Sequence, residues 1–271
     1  FFQLKNCVIP PMRISLLLCL AMVVSMASQP PKACPAVMTG ADEPYLSLLQ
    51  ELVPEGVKHT GGPSFDEHLK GVMLVLRAWN CSKSVQLSGL FHSIYGTEGF
   101  QGHSIPFTRR SEIKKKIGDR AETLAYTFCV VDRLSVDESV KAEFEGTGTR
   151  KLKARADLGG FGIELSDEEF HDFIELTLGD WLEQVESASL KENELFRWKV
   201  GQAWCYRRSA FKLMSRYLKR ESEYNAVFAA EPEEWKGFEQ VKTPPMSEKG
   251  REIEGKEGEA MKLLSEVRRM V

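Results

Sequence analysis

Gly89-Leu90-Phe91-His92-Ser93-Ile94-Tyr95-Gly96-Thr97-Glu98 is the stretch on which the fold turns. It closes an apolar run that opens near Ser84, and it puts His92 where that run gives way to Gly and Thr. Upstream, Phe65-Asp66-Glu67-His68-Leu69-Lys70-Gly71-Val72 carries a second histidine. The apolar residues of that segment, Leu69, Val72, Met73, Leu76 and Trp79, recur at three and four, which is the period of a helix. Ser64 and Glu67 stand in capping-box positions, so the helix is expected from Ser64 to Trp79. Downstream, Leu176-Thr177-Leu178-Gly179-Asp180-Trp181-Leu182 sets an acid in another helical run. Two imidazoles and a carboxylate from three helices are the donors that a metal site in a helical bundle uses.

The same periodicity extends outward. Helices are expected over Tyr45 to Val53, stopped by Pro54, over Ser84 to His92, over Ser111 to Ile117 and over Asp119 to Leu134. Ser166 and Glu169 form a second capping box, opening a helix to about Glu186. Glu194 to Arg220, with Trp198, Trp204, Tyr206, Phe211 and Tyr217, is expected to be the last core helix. Between them, Lys151 to Ala156 alternates polar and apolar residues before Gly159-Gly160-Phe161-Gly162, a pattern that predicts a small β-hairpin. The expected class is all-α, a helical bundle with that hairpin inserted. Residues 1–41 are leader and linker, residues 42–225 the helical domain, and residues 226–271 a charged, flexible tail with a terminal helix near Glu259 to Met270.

Composition narrows the function. The chain has 271 residues, 42% hydrophobic and 28% charged, with net charge −3 and pI near 6.1. This is an ordinary globular balance, and it argues against nucleic-acid binding over the whole surface. Met12-Arg13, an apolar run from Ile14 to Met26 and the small Ala27-Ser28 make a signal-peptide pattern over residues 12–28. The run is short for a membrane span, so no stable span is expected once the leader is cleaved. An uncleaved anchor and an organelle presequence are the alternatives. The expected destination is the secretory pathway or an organelle if the leader is used, and the cytoplasm otherwise. Without the leader, Cys34, Cys81, Cys129 and Cys205 remain, widely spaced and without a CxxC pair. Cys129 and Cys205 sit in apolar runs and read as buried free thiols.

The order of these motifs resembles the HD-domain superfamily, helical metal-dependent phosphohydrolases, and among them the hydrolase domain of the stringent-response alarmone enzymes. His59-Thr60-Gly61-Gly62-Pro63 resembles the turn that opens the motif, His68 the first ligand, Leu87 to His92 the helix that ends on the second, and Leu178-Gly179-Asp180 the last ligand helix. Phe91 to Glu98, with Trp204-Cys205-Tyr206-Arg207-Arg208, is more closely similar to a group of uncharacterised HD-like proteins. The pattern departs at Ser93, where the hydrolases carry an aspartate that helps bridge two metals. The resemblance therefore implies one divalent metal, Zn, Mn or Fe, on His68, His92 and Asp180, with His59 as a fourth ligand or a supporting partner. No organic cofactor is indicated.

The resemblance further implies Glu98 as a proton-transfer group, and Arg110 and Arg207 as contacts to a small anionic or phosphorylated ligand. The plainer alternative is a set of hydrogen-bonded core histidines, a structural Asp180 and Glu98, and arginines on solvated helix faces. His103 and His171 read as surface or loop residues. On the first reading the protein hydrolyses a phosphorylated metabolite or nucleotide. On the second it is a non-catalytic ligand-binding or scaffold protein on the same fold. The oligomeric state is left open.

Overall fold

The computed structural model describes residues 36–53, 57, 64–98, 104–148, 150–190, 200–229, 232 and 235. The expected leader, His59, His103, Trp198 and nearly all of the expected tail lie outside these residues. Among the described residues the chain is all-α, with nine α-helices and no strand. They are α1 (Glu43–Leu52), α2 (Phe65–Ala78), α3 (Lys83–Phe91), α4 (Arg110–Ile117), α5 (Asp119–Val130), α6 (Arg133–Phe144), α7 (Asp167–Ser189), α8 (Arg208–Tyr217) and α9 (Glu221–Phe228). None of them is long and apolar enough to cross a membrane.

The helix starts follow local chemistry. Ser64 N–H donates to Glu67 Oε2 at 3.1 Å ahead of α2. Ser166 and Glu169 complete a reciprocal box at α7, with bonds of 2.9 and 3.2 Å. Each bond satisfies an amide that the first helical turn leaves unpaired. At the centre, α2 packs on α3 and α7, and α3 also packs on α5 and α7. The apolar side chains form two clusters. Phe65, Leu69 and Met73 of α2 face one, with α1, α3 and α4. Val72 and Leu76 face the other, with Phe173, Trp181, Trp204 and Phe211. Trp181 stacks on Phe211 at 4.2 Å and so ties α8 to α7 beside Asp180. Phe228 and Trp235 belong to this second cluster, so the core reaches past Asn225.

Three sequence expectations are corrected. The expected hairpin is reduced to isolated antiparallel bridges, Val131 with Ala154 and Lys153 with Gly162. The segment pairs with α5's exit as well as with itself: Arg155 N–H donates to Val130 O and Ala154 N–H to Phe161 O, each at 2.8 Å. A 3₁₀ turn over Ala156–Leu158 then ends any ladder. The helix expected to run through Leu134 stops at Val130, because Val131 is extended and Asp132 caps a new helix, α6, through Ser135 N–H at 2.9 Å. The expected helix from Glu194 to Arg220 is broken in its described part. Gly201 and Arg207 have φ of +85° and +48° on either side of a 3₁₀ turn that buries Trp204. Burial of the indole took precedence over helix continuity there.

Away from this centre, Asp42 is buried and accepts from Arg77 Nη1 and Nη2 at 2.9 and 2.8 Å and from Lys83 Nζ at 2.9 Å. The Arg77 bonds, against the opposing effect of burial, hold its carboxyl well below the usual range. A carboxylate with a depressed folded pKa contributes stability above its unfolded pKa and loses it as pH falls toward the folded one. Asp42→Asn should therefore melt below the wild type at pH 7, and the gap should close as pH drops below about 4. Thermal melts across pH check this, and a gap that does not change with pH contradicts it.

Candidate metal centre

The three helices bring His68 (α2), His92 (just after α3) and Asp180 (α7) together at the seam of the two clusters, all buried. His68 Nε2 and His92 Nε2 are 3.2 Å apart, and Asp180 Oδ1 lies 3.1 Å from each. Outer partners set both rings. His92 Nδ1 donates to Gly89 O at 2.7 Å. His68 Nδ1 donates to Glu183 Oε2 at 2.5 Å. With both Nδ1 atoms acting as donors outward, the two Nε2 lone pairs face each other and a carboxylate oxygen, an arrangement that needs a proton or a cation at its centre.

The donor set fits a cation. His68 Nε2, His92 Nε2 and Asp180 Oδ1 would be the atoms that hold it, two imidazole nitrogens and a carboxylate oxygen being donors that suit a divalent metal. Histidine ligands characteristically donate their second nitrogen to a carboxylate or carbonyl, as both do here. Without an ion, burial disfavours a charged His68, but hydrogen bonds to Asp180 and Glu183 outweigh it and raise its pKa to about 9. Burial likewise opposes ionisation of Asp180, and the two imidazoles hold it well below the usual range.

Glycines allow this approach. A Cβ at Gly89 would lie 2.7 Å from Leu76 Cδ1 and 3.3 Å from the Met73 backbone nitrogen, so α3 could not sit this close to α2. At Gly71 it would lie 2.3 Å from Glu183 Oε1, the carboxylate that orients His68. At Gly179, next to Asp180, it would lie 3.0 Å from Leu76 Cδ2.

The other expected site residues lie elsewhere or outside the described residues, as His59 does. Glu98 is exposed and accepts from Arg133 N–H at 2.8 Å, at the start of α6. Arg110 forms two bonds to buried Glu122, at 2.6 and 2.9 Å, and stacks 3.4 Å over Tyr126. Arg207 is paired in two bonds with Asp137. It also lines a narrow cleft together with Asp180, Phe128, Phe173, Phe211 and Arg133. Ser93 is buried directly after His92. His171 is exposed on α7, as expected, and belongs to a second group with Asp172 and Glu175. Those two carboxylates are held by Arg120 and Arg220. Glu183, Arg133 and Arg155 were not singled out in the sequence. Only Glu183 carried a signal there, its spacing of three from Asp180 on one helix face.

Cys81 and Cys129 are buried free thiols, and Cys205 is buried as well. The Cys129 thiol donates to His92 O at 2.9 Å, which further anchors the turn that carries this histidine.

Comparison with known proteins agrees with the uncharacterised half of the resemblance. Residues 48–133 match a family model described as a domain of unknown function, DUF6817. The matched part takes in His68, His92, Glu98 and Arg110 and ends before Asp180 and Arg207. No curated protein and no solved structure matches the chain.

Proposed function

We propose that His68, His92 and Asp180 hold one divalent metal ion, and that the domain is an HD-like hydrolase of a small phosphorylated metabolite or nucleotide. The observation that carries this is the convergence of the three donor atoms within 3.2 Å, with both Nδ1 atoms engaged outward. The order of the ligands and their helical setting support the HD-like part. Ser93, in place of the hallmark aspartate, supports one metal over two, because a neutral hydroxyl is a much weaker ligand than a carboxylate. Zn, Mn and Fe(II) all accept two imidazoles and a carboxylate with positions left open.

Such an ion supplies Lewis acidity and activates water near neutral pH. The chain's own residues do the rest. Glu183 and Gly89 O aim the imidazoles, Phe128 packs edge-on against His92 at 4.9 Å, and the aromatic walls of the cleft limit water around Asp180. Glu98, the proposed proton-transfer group, is engaged by the N-terminus of α6 through Arg133 N–H.

The rival is a non-catalytic ligand-binding or scaffold protein on the same framework. It draws on the cleft, which has room for about one water in this conformation. The full chain loaded with Mn²⁺ or Zn²⁺ and offered phosphomonoesters and nucleotides separates the two. Turnover that disappears with a chelator and in Asp180→Asn is the expected result. A metal-replete protein that turns over none of them favours the rival.

A further inference from the structure

Asp180 is buried, and a buried carboxylate has acceptor sites on both oxygens to satisfy. Oδ1 lies 3.1 Å from His68 Nε2 and 3.1 Å from His92 Nε2. Among the described residues a further donor reaches this carboxylate, the side-chain amide of Gln184. Its Nε2 is 3.3 Å from Oδ1 and 3.3 Å from Oδ2, so one donor group serves both oxygens. These bonds are longer than the usual N–H···O distance of roughly 3.0 Å, as a shared donor's are. An ionised Asp180 only accepts, so the NH₂ end of the amide, and not its carbonyl, faces it.

The helix dictates the contact. Asp180 and Gln184 lie one turn apart on α7, and a Gln–Asp pair at that spacing is a hydrogen-bonding one. Packing fixes the turn at both ends, through the stacking of Trp181 on Phe211 at 4.2 Å and the burial of Val185. Successive residues of α7 thus serve different members of the centre. Glu183 takes the proton of His68 Nδ1, and Gln184 donates to the carboxylate. The chemical type of residue 184 matters. A Lys or Arg there would supply a donor but also a charge competing with a metal ion for Asp180, and an acid would repel the carboxylate. An amide donates without adding charge.

We propose that Gln184 makes Asp180 a one-oxygen ligand, its amide keeping Oδ2 while Oδ1 meets the ion, and that this biases the centre toward Zn²⁺ over Mn²⁺. Zn²⁺ is satisfied by three protein atoms and one open position, whereas Mn²⁺ suits six-coordinate, oxygen-rich sites. Discrimination between such ions comes from geometry and ligand type more than from raw affinity. Gln184 is therefore a positioning residue that acts through Asp180, and its role rests on the metal centre proposed above.

The test compares Zn²⁺ and Mn²⁺ affinities of the full chain, by competition with a chromophoric chelator, in the wild type and in Gln184→Met. Methionine keeps the length of the side chain and removes the donor. Zn²⁺ affinity should fall about 10-fold, the lower end of what loss of such a partner costs. Mn²⁺ affinity should fall less than about threefold, because the freed Oδ2 offers that ion another oxygen. In chelator, the metal-free variant should melt within about 2 °C of the wild type. Unchanged Zn²⁺ affinity, an equal fall for both ions, or a metal-free melt several degrees lower would overturn the role of Gln184 and leave the metal centre standing. A wild type that binds neither ion would remove the centre and this role together.

Discussion

His92→Gln should lower the affinity for Zn²⁺ or Mn²⁺ by at least about 100-fold, more than the roughly 10- to 100-fold expected for Glu183→Gln. The ranking follows from geometry. His92 contributes one of the three donor atoms that the described residues bring together, 3.1 and 3.2 Å from the others. Glu183 acts one step removed, through its 2.5 Å bond to His68 Nδ1, which keeps the Nε2 lone pair turned inward. Glutamine at either position keeps much of the original bulk, so both variants should stay folded, as far-ultraviolet circular dichroism would show. Competition with a chromophoric chelator measures the affinities. Equal affinity in His92→Gln and the wild type would mean that the ion, if bound, sits elsewhere.

Gly89→Val should be the most destabilising change in the α2–α3 contact, by about 3 kcal/mol, since overpacking of this kind typically costs about 1–3 and valine adds three heavy atoms. In a domain of this size that is a fall in melting temperature of about 6–12 °C. The added Cβ alone meets Leu76 Cδ1 at 2.7 Å, Val72 Cγ1 at 3.2 Å and the Met73 backbone nitrogen at 3.3 Å. A side chain can swing away, but a backbone nitrogen cannot, so α3 must move off α2. Because Gly89 O also holds His92 Nδ1, the move should weaken metal binding as well. Gly162→Ala, where an added Cβ meets nothing within 4 Å, is the control and should shift stability by less than about 0.5 kcal/mol. A Gly89→Val protein as stable as that control would show that the helices are not in tight contact.

The helices that bring His68, His92 and Asp180 together were legible because each has a local signature. Ser64 with Glu67 and Ser166 with Glu169 announced α2 and α7, and the apolar run to Phe91 announced α3. The trio of His68, His92 and Asp180 was legible from motif order, not from any single residue. What escaped depended on long-range contacts. Asp132 caps α6 and ends the helical reading of Val131, yet the apolar periodicity continues through that point. Arg207 was expected as a ligand contact or as a charge on a solvated helix face, and its pairing with Asp137 depends on a contact seventy residues away that only the folded chain makes. Arg155 sat in a segment read for alternation, where its burial had no local sign. Lys153 does pair with Gly162, a residue expected in the turn, but Ala154's pairing with Val131 and the turn at Ala156–Leu158 kept the segment from becoming a hairpin.

The most direct measurement is metal content by plasma mass spectrometry, on chain purified without an affinity metal and again after reconstitution with Zn²⁺, Mn²⁺ or Fe²⁺, with Asp180→Asn alongside. A metal centre on His68, His92 and Asp180 predicts close to one equivalent in the wild type and a much lower content in the variant. A wild type that holds no metal even after reconstitution, or a variant that holds as much, would contradict it.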